Sequence, residues 1–332
     1  MTRATTRHAR IMSGLGVLAA LLLVASSFWD APQINNWLFR ISTLIMLATS
    51  WNLMANAGLV SLGHSAFWGV GSYTAILAAN AWSGSVFATV AVACLVGGAM
   101  GALLASVTGS LKGIFFAIAT LALSEGLRIS ALMVPEVTGG AVGLFLKQDL
   151  RPSQHALYLF GALAAVASVG VAILISCSKL QFASRAMRDN EAAAQMLGIA
   201  PRRQRLVIVA ISGAMASAAG AINAWYGGYL DPEVAFTLHN TILAQIAPIL
   251  GGIHTLAGPV IGSVAIIVLS EATRIWFGSV EGVSQLTFGL VLIVCILFLP
   301  KGIEGLMRNR RARRKVEHAP ALPVRSMRGI EP

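Results

Sequence analysis

The chain has 332 residues, of which 56% are hydrophobic and only 11% are charged. Soluble domains carry about a quarter charged residues, so the composition excludes an ordinary soluble domain and predicts an all-α, polytopic bundle of transmembrane helices. The apolar runs are continuous rather than alternating, which excludes a β-barrel. The net charge of +11 comes mostly from short basic segments between or beyond the apolar runs. That placement is typical of the positive-inside rule and not of a nucleic-acid interface.

Ten apolar segments, each close to the length that crosses a bilayer, are predicted to be membrane spans. In chain order they are 12–29, 37–56, 64–82, 86–108, 113–134, 156–178, 205–229, 239–253, 256–277 and 283–300. Segment 239–253 is short enough to be a half-helix. The alternative is therefore eight spans with two re-entrant pieces, which leaves the orientation of both termini unchanged.

The basic segments set the expected topology. With the N-terminus in the cytoplasm, ten spans place every dense basic segment on the cytoplasmic side. The chain then divides into a cytoplasmic N-terminus (1–11), a transmembrane domain (12–300) and a basic cytoplasmic tail (301–332) that contacts anionic lipid headgroups. A polar segment, 179–204, interrupts the transmembrane domain on the same side, and we call it the coupling segment.

One pair of charges lies within a predicted span. Glu125 and Arg128 are three residues apart and so share a helix face. Charges inside a membrane are costly and mark function by default, although the pairing favours a structural ion pair over a role in transport. No chain of acidic and histidine residues crosses the other spans, which weighs against an ion-coupled transporter.

Other candidate chemistry is sparse. His64 and His254 have no converging partners, and the three cysteines (Cys94, Cys177 and Cys295) lie within or at the end of apolar runs, so neither a metal site nor a disulfide is expected. The sequence contains no Walker motif and no nucleophile–base arrangement. We therefore expect a chain that is not an enzyme, binds no cofactor and leaves ATP hydrolysis to partner subunits.

The coupling segment contains a short helix with clear start and stop signals. Asn190 can cap a helix that begins at Glu191, Gly198 suits the left-handed position after its end, and Pro201 prevents its continuation. This pattern favours a docking helix for a soluble partner over a solvated loop helix at the headgroups. The predicted docking residues are Arg188, Asn190, Glu191, Ala192, Ala193, Met196, Leu197 and Gly198.

Two glycine-interrupted segments, 63–72 and 253–263, occupy similar places in the two halves of the chain. Such interruptions indicate broken helices beside a substrate path. The predicted path residues are polar or glycine positions in broken apolar runs, together with one neighbouring aromatic. They are Ser61, Gly63, His64, Phe67, Thr120, Thr138, Gly139 and Gly140.

Four stretches carry a family resemblance: GLVSLGHSAFWGVGSY (58–73), GIFFAIATLALSE (113–125), TGGAVG (138–143) and RAMRDNEAAAQMLGI (185–199). They resemble motifs of the LivM-type permeases of branched-chain amino acid ABC importers, and GGIHTLAGPVIGS and LPKGIEGL fit as well. The match covers roughly residues 38–306. The sequence departs from the family at Leu59, where a glutamine is usual, and at His254, where a glycine is usual.

The resemblance implies a permease subunit in the bacterial inner membrane that pairs with a homologous permease as a heterodimer. Two ATPase subunits would drive it through the segment Glu191 to Gly198, and a periplasmic or extracellular solute-binding protein would supply the substrate. A branched-chain amino acid is the family's usual cargo, while related permeases carry urea, amides and other small solutes. The rival from another class is an ion-coupled transporter that uses Glu125.

Overall fold

The structure, a computed structural model, describes residues 32–82, 84–109 and 111–277, together with 283, 286–287, 289–290, 293–294, 297 and 302–304. The predicted N-terminal segment and the first predicted span lie outside these residues, as does the tail beyond residue 304. Only scattered positions of the last predicted span, 283–300, lie within them.

The described chain is almost entirely helical. Its α-helices, in chain order, are α1 (Pro32–Asn56), α2 (His64–Trp82), α3 (Val86–Val107), α4 (Ile114–Met133), α5 (Pro135–Thr138), α6 (Gln154–Ser176), α7 (Lys179–Asp189), α8 (Glu191–Met196), α9 (Pro201–Gly227), α10 (Pro232–Ala235), α11 (Leu238–Gly252) and α12 (Gly258–Phe277). Two-residue strands β1 (Leu144–Phe145) and β2 (Tyr229–Leu230) pair antiparallel. This small pairing joins the loop before α6 to the end of α9.

Seven helices of the described chain are long and apolar enough to cross a membrane. They cover Gln33–Asn56, Val86–Val107, Ile114–Met133, Gln154–Ser176, Pro201–Gly227, Pro232–Gly252 and Gly258–Trp276. The prediction of an all-helical, multi-pass membrane protein is therefore confirmed. The predicted span 64–82 forms helix α2, which is not one of the seven. The range Pro232–Gly252 comprises α10 and α11; α11 alone has 15 residues, about 22 Å, which is shorter than the hydrocarbon core of a bilayer.

Local sequence signals explain several helix boundaries. Ser85 and Ser153 cap α3 and α6, because each side-chain oxygen accepts a hydrogen bond from the backbone N–H three residues later. Pro201 occupies the first turn of α9, where its missing N–H costs nothing, and Gly228 ends that helix with φ of 66°. Short sequence patterns at the helix ends therefore determine where these helices begin and end.

Helix α9 lies at the centre and packs against α1, α2, α3 and α6. Small residues allow its backbone to approach α3 closely. A Cβ added at Gly97 would lie only 1.9 Å from Ser217 Oγ and 2.7 Å from the carbonyl oxygen of Gly213. A Cβ added at Gly101 would lie 2.5 Å from the carbonyl oxygen of Val209. Close backbone packing of this kind drives helix association in lipid, where the hydrophobic effect between helices is weak.

Hydrogen bonds reinforce the same contacts. Ser217 Oγ donates to the carbonyl oxygen of Phe67 at 2.8 Å, and Ser72 Oγ donates to that of Gly220 at 2.9 Å, so both bonds join α9 to α2. Buried bonds between membrane helices contribute about 0.6 kcal/mol each on average. Their main consequence here is to fix the register of α2 along α9.

The glycine contact can be tested by adding one methyl group. We expect Gly97→Ala to lower the free energy of unfolding by about 1–3 kcal/mol, because the new Cβ overlaps Ser217 and Gly213. Gly170→Ala is the matched control: a Cβ at Gly170 in α6 meets nothing within 4 Å, so the higher helix propensity of alanine should leave stability unchanged or raised. Thermal unfolding of both variants in detergent measures the difference. Equal midpoints would contradict the close approach of α3 and α9.

Candidate functional site

The coupling segment folds as two short helices, α7 and α8, between two long ones. The predicted capping is confirmed: Asn190 Oδ1 accepts a hydrogen bond from the backbone N–H of Ala193 at 3.1 Å, and α8 begins at Glu191. Gly198 adopts φ of 80°, the left-handed conformation that ends a helix, and Pro201 starts α9. The coupling segment is therefore a pair of short, capped helices and not an irregular loop.

A buried ion pair holds α8 in place. Both oxygens of Glu191 accept from Arg205 Nη2, at 3.1 and 3.0 Å, and Lys112 Nζ lies 2.7 Å from Oε2. Arg205 is 5% exposed and also donates to the carbonyl oxygens of Gly109 and Leu111. Because a buried charge is tolerated only when it is paired and hydrogen-bonded, these contacts fix α8 against α9 and against the loop before α4.

The predicted docking residues divide into two groups. Met196 and Leu197 are 89% and 71% exposed, and Asn190, Ala192, Ala193 and Gly198 are exposed as well. Glu191 points inward to its ion pair, with 16% of its side chain exposed, and Arg188 is partly buried. The outward surface of α8 is thus small and mostly apolar, with the exposed Gln195 as its polar member, and Glu191 anchors the helix on its inner side.

A second feature lies inside the bundle, where α2, α4 and α11 meet. Three hydroxyl groups form a buried cluster there. Ser65 donates its backbone N–H to Thr241 Oγ1 at 2.9 Å, the Thr241 hydroxyl donates to Ser65 Oγ at 2.9 Å, and Ser65 Oγ lies 2.7 Å from Ser124 Oγ. This cluster places the first turns of α2 and α11 side by side, against the middle of α4.

An open cleft of about 220 Å³, which we call the α4 cleft, adjoins this cluster. Its charged lining is an ion-pair triad. Arg128 donates to both oxygens of Glu125, with Nε–Oε2 of 3.0 Å, and it also pairs with Glu233 of α10. The predicted partners Glu125 and Arg128 do pair, and the structure adds a third member. The cleft is lined by Ser65, Leu121, Ser124, Glu125, Arg128, Glu233, Phe236, Thr237 and Leu238.

Five of the predicted path residues lie in the packed interior, beside the segment that precedes α2. They are Ser61, Gly63, His64, Phe67 and Thr120. The Thr120 hydroxyl accepts from the backbone N–H of Leu62, and His64 Nε2 lies 3.3 Å from Ser212 Oγ. These contacts give the residues a positioning role, because they hold the start of α2 between α4 and α9.

Of the other three predicted path residues, Thr138 is the last residue of α5, and Gly139 and Gly140 begin the turn that follows it. Thr138 Oγ1 donates to the carbonyl oxygen of Ala131 at 2.5 Å, which closes this turn onto the end of α4. Within the described part of the chain, none of the eight predicted path residues lines the α4 cleft. Their assignment to a substrate path stays a prediction.

Sequence reasoning missed several residues of the cleft. Ser65 directly follows His64, and Ser124 directly precedes Glu125. Their position next to predicted site residues was a usable signal. Glu233 gave no signal, because it belongs to an outer connection in the sequence and meets Arg128 only through the fold. Thr237 likewise gave no signal, because its role as the residue that caps α11 is visible only in the structure.

His254 lies in the turn between α11 and α12, and it adopts φ of 65°. This left-handed conformation explains why a glycine suits the position. Its backbone N–H donates to Asn52 Oδ1 at 3.1 Å, which joins the turn to the end of α1. Burial and the nearby positive charges of Arg188 and Arg185 lower the pKa of His254, so its imidazole is neutral at pH 7.

A family model described as the permease component of branched-chain amino acid transport systems matches residues 33–297. The chain belongs to this family. The chain is 27% identical to the high-affinity branched-chain amino acid transport system permease protein LivM of Escherichia coli K12, with 88% of this chain and 75% of LivM covered. It is also 23% identical to permease protein BraD of Pseudomonas aeruginosa, over 82% of this chain and 95% of BraD.

A third relative is the permease protein LivH of E. coli K12, which is 31% identical over 140 residues, or 42% of this chain and 44% of LivH. This permease is therefore a multi-pass transport subunit of an ABC importer. Within the described residues, α8 is the candidate for energy input and the α4 cleft is the candidate for passage of a solute.

The anchor of α8 can be tested with one substitution made at two positions. We expect Arg205→Met to destabilise this permease by about 3 kcal/mol, because Glu191 and two carbonyl oxygens lose their buried partner. Arg203→Met is the control: that residue is exposed, and such changes usually stay within about 0.5 kcal/mol. Thermal unfolding, with limited proteolysis at the coupling segment, measures both. A stable, protease-resistant Arg205→Met variant would contradict the anchoring role.

Proposed function

We propose that this permease moves branched-chain amino acids across the bacterial inner membrane, driven by two separate ATPase subunits. The substrate class is supported by the names of the relatives, since LivM, LivH and BraD are all called branched-chain amino acid transport permeases. The absence of a Walker motif from the sequence supports placing ATP hydrolysis on partner chains.

The exposed surface of α8 is the observation that supports coupling to an ATPase subunit. Met196 and Leu197 project from a helix that is too short to be stable alone, yet the Glu191–Arg205 pair and the Asn190 cap hold it rigidly. A small apolar knob on a fixed base suits insertion into a groove of an ATPase subunit. Movement of that subunit then pushes on α8, and through Arg205 on α9, without a flexible joint between them.

The exposed faces of the helices and the relatives support a second permease as a further subunit of the proposed importer. Both LivM and LivH, each named a permease, align with this chain, which supports pairing with a homologous permease. Phe87, Leu95 and Phe115 on α3 and α4 are each at least 68% exposed, as expected for surfaces that face lipid or a second permease. A solute-binding protein completes the importer on the outer side, and ten spans with both termini in the cytoplasm complete its topology.

The function is tested by reconstituting this permease in proteoliposomes with its partner permease, ATPases and binding protein. We expect ATP-driven uptake of radiolabelled leucine that unlabelled isoleucine and valine suppress and that urea and acetamide do not. Uptake without ATP, or suppression by urea or acetamide alone, would contradict the proposal.

The coupling role of α8 is tested in the same system. We expect Met196→Asp to reduce both uptake and the ATPase stimulation by loaded binding protein at least tenfold, because a carboxylate replaces the apolar knob. Met196→Leu keeps the apolar surface and is expected to retain most activity. Since Met196 is 89% exposed, neither change should affect folding, and equal membrane levels serve as the check. Full activity of Met196→Asp would exclude α8 as the coupling contact.

A further inference from the structure

The charged residues of the α4 cleft lie near the middle of a membrane-spanning helix, where exposed charge is unusual. Glu125 is eleven residues after the start of α4, about 16 Å along a helix whose 20 residues span about 30 Å. The side chains of Glu125 and Glu233 are 53% and 68% exposed. Because an ionised side chain facing hydrocarbon costs several kcal/mol, the open side of the cleft faces water or protein rather than lipid tails.

The charges of the triad do not cancel. Two carboxylates, Glu125 and Glu233, share the single guanidinium of Arg128, which leaves a net charge of −1. Hydroxyl groups and apolar side chains make up the rest of the lining. The triad therefore favours a cationic group beside its two carboxylates.

The helix starts that line the cleft have the reverse polarity. Ser65 lies in the first turn of α2, and Thr237 and Leu238 begin α11. The starts of two helices thus meet at one place, and the dipole of each helix contributes a positive partial charge there. The buried Ser65 and Ser124 hydroxyl groups share one hydrogen bond, which leaves one of their two hydrogens to donate to a carboxylate.

Apolar side chains complete the lining. Leu121, Phe236 and Leu238 line the cleft beside the charged and hydroxyl groups. A volume of about 220 Å³ lies below the 300–1,000 Å³ of sites for drug-sized ligands, so the cleft suits a small solute. Its three kinds of lining match three kinds of group on one molecule: a cation, an anion and an aliphatic side chain.

We propose that the α4 cleft binds the zwitterionic head of an aliphatic α-amino acid during passage. The ammonium lies beside Glu125 and Glu233, the carboxylate lies at the starts of α2 and α11, and the side chain lies against Leu121 and Phe236. The assignment rests on the proposed function and narrows it, because a neutral solute such as urea gains nothing from the opposed charges.

The test is charge-selective labelling of a cysteine in the cleft of the assembled complex. Leu238→Cys is suitable because Leu238 lines the cleft and is 50% exposed; the native cysteines Cys94, Cys177 and Cys295 are replaced by serine. Val142→Cys, at a 75% exposed position in the connection between α5 and α6 and outside the cleft, is the control. We expect a cationic methanethiosulfonate to label Leu238→Cys several-fold faster than an anionic one, and this preference to disappear with Glu233→Gln.

Protection by free ligands then tests the zwitterion. We expect L-leucine to slow labelling of Leu238→Cys at concentrations at least tenfold lower than 4-methylpentanoate, which lacks the ammonium, or 3-methylbutylamine, which lacks the carboxylate. Val142→Cys should be labelled at the same rate with and without these ligands. Equal protection by the amine alone, no protection by leucine, or no charge preference in labelling would overturn the assignment.

The two proposals fail in different ways. If the wild-type complex takes up leucine but leucine does not protect Leu238→Cys, the cleft assignment is wrong and the proposed function stands. If the complex shows no ATP-driven uptake of branched-chain amino acids, the proposed function itself is wrong, whatever the labelling shows.

Discussion

The close approach of α9 to α2 and α3 is the contact on which the rest of the structure depends. It requires glycine or serine at each crossing, as at Gly97 and Ser217, because any larger side chain would separate the backbones. With α2 fixed along α9, the start of α2 is held beside α4 and α11. The hydroxyl cluster around Ser65 and the cleft next to it exist only because that start lies inside the bundle.

Helix α9 also connects the two functional features. Its 27 residues extend about 40 Å, and Arg205 in its second turn holds Glu191 of α8. Farther along, Ser212 donates to the carbonyl oxygen of Ser50 and lies 3.3 Å from His64, the first residue of α2. Under the proposed function, a displacement of α8 is transmitted through Arg205 to α9, whose middle contacts the start of α2. This gives a physical route from the coupling segment to the α4 cleft.

The sequence predicts the features that local rules control. Apolar runs of spanning length predicted most of the described long helices, and the cap at Asn190 and the glycine at Gly198 predicted the limits of α8. The spacing of Glu125 and Arg128 predicted their pairing, since residues three apart meet on any helix. Each of these inferences uses residues within one or two helical turns.

The site could not be assembled in the same way, because its members meet only through packing. Glu233 joins Arg128 across 105 positions, and Thr241 joins Ser65 across 176. Glu191 looked like part of a docking surface, but Arg205 and Lys112 turn it inward. Hydrophobic periodicity identifies the buried face of a helix and does not identify the partner on the other side of it.

In the proposed mechanism, movement of α8 changes the shape of the α4 cleft. The most direct measurement is the distance between spin labels at Leu121→Cys on α4 and Leu238→Cys on α11, in the complete transporter by pulsed electron paramagnetic resonance. We expect different distributions of the label-to-label distance in the nucleotide-free and ATP-trapped states. We expect no difference between these states when Met196→Asp blocks coupling. Identical distributions in the two states of the otherwise unmodified complex would contradict this mechanism.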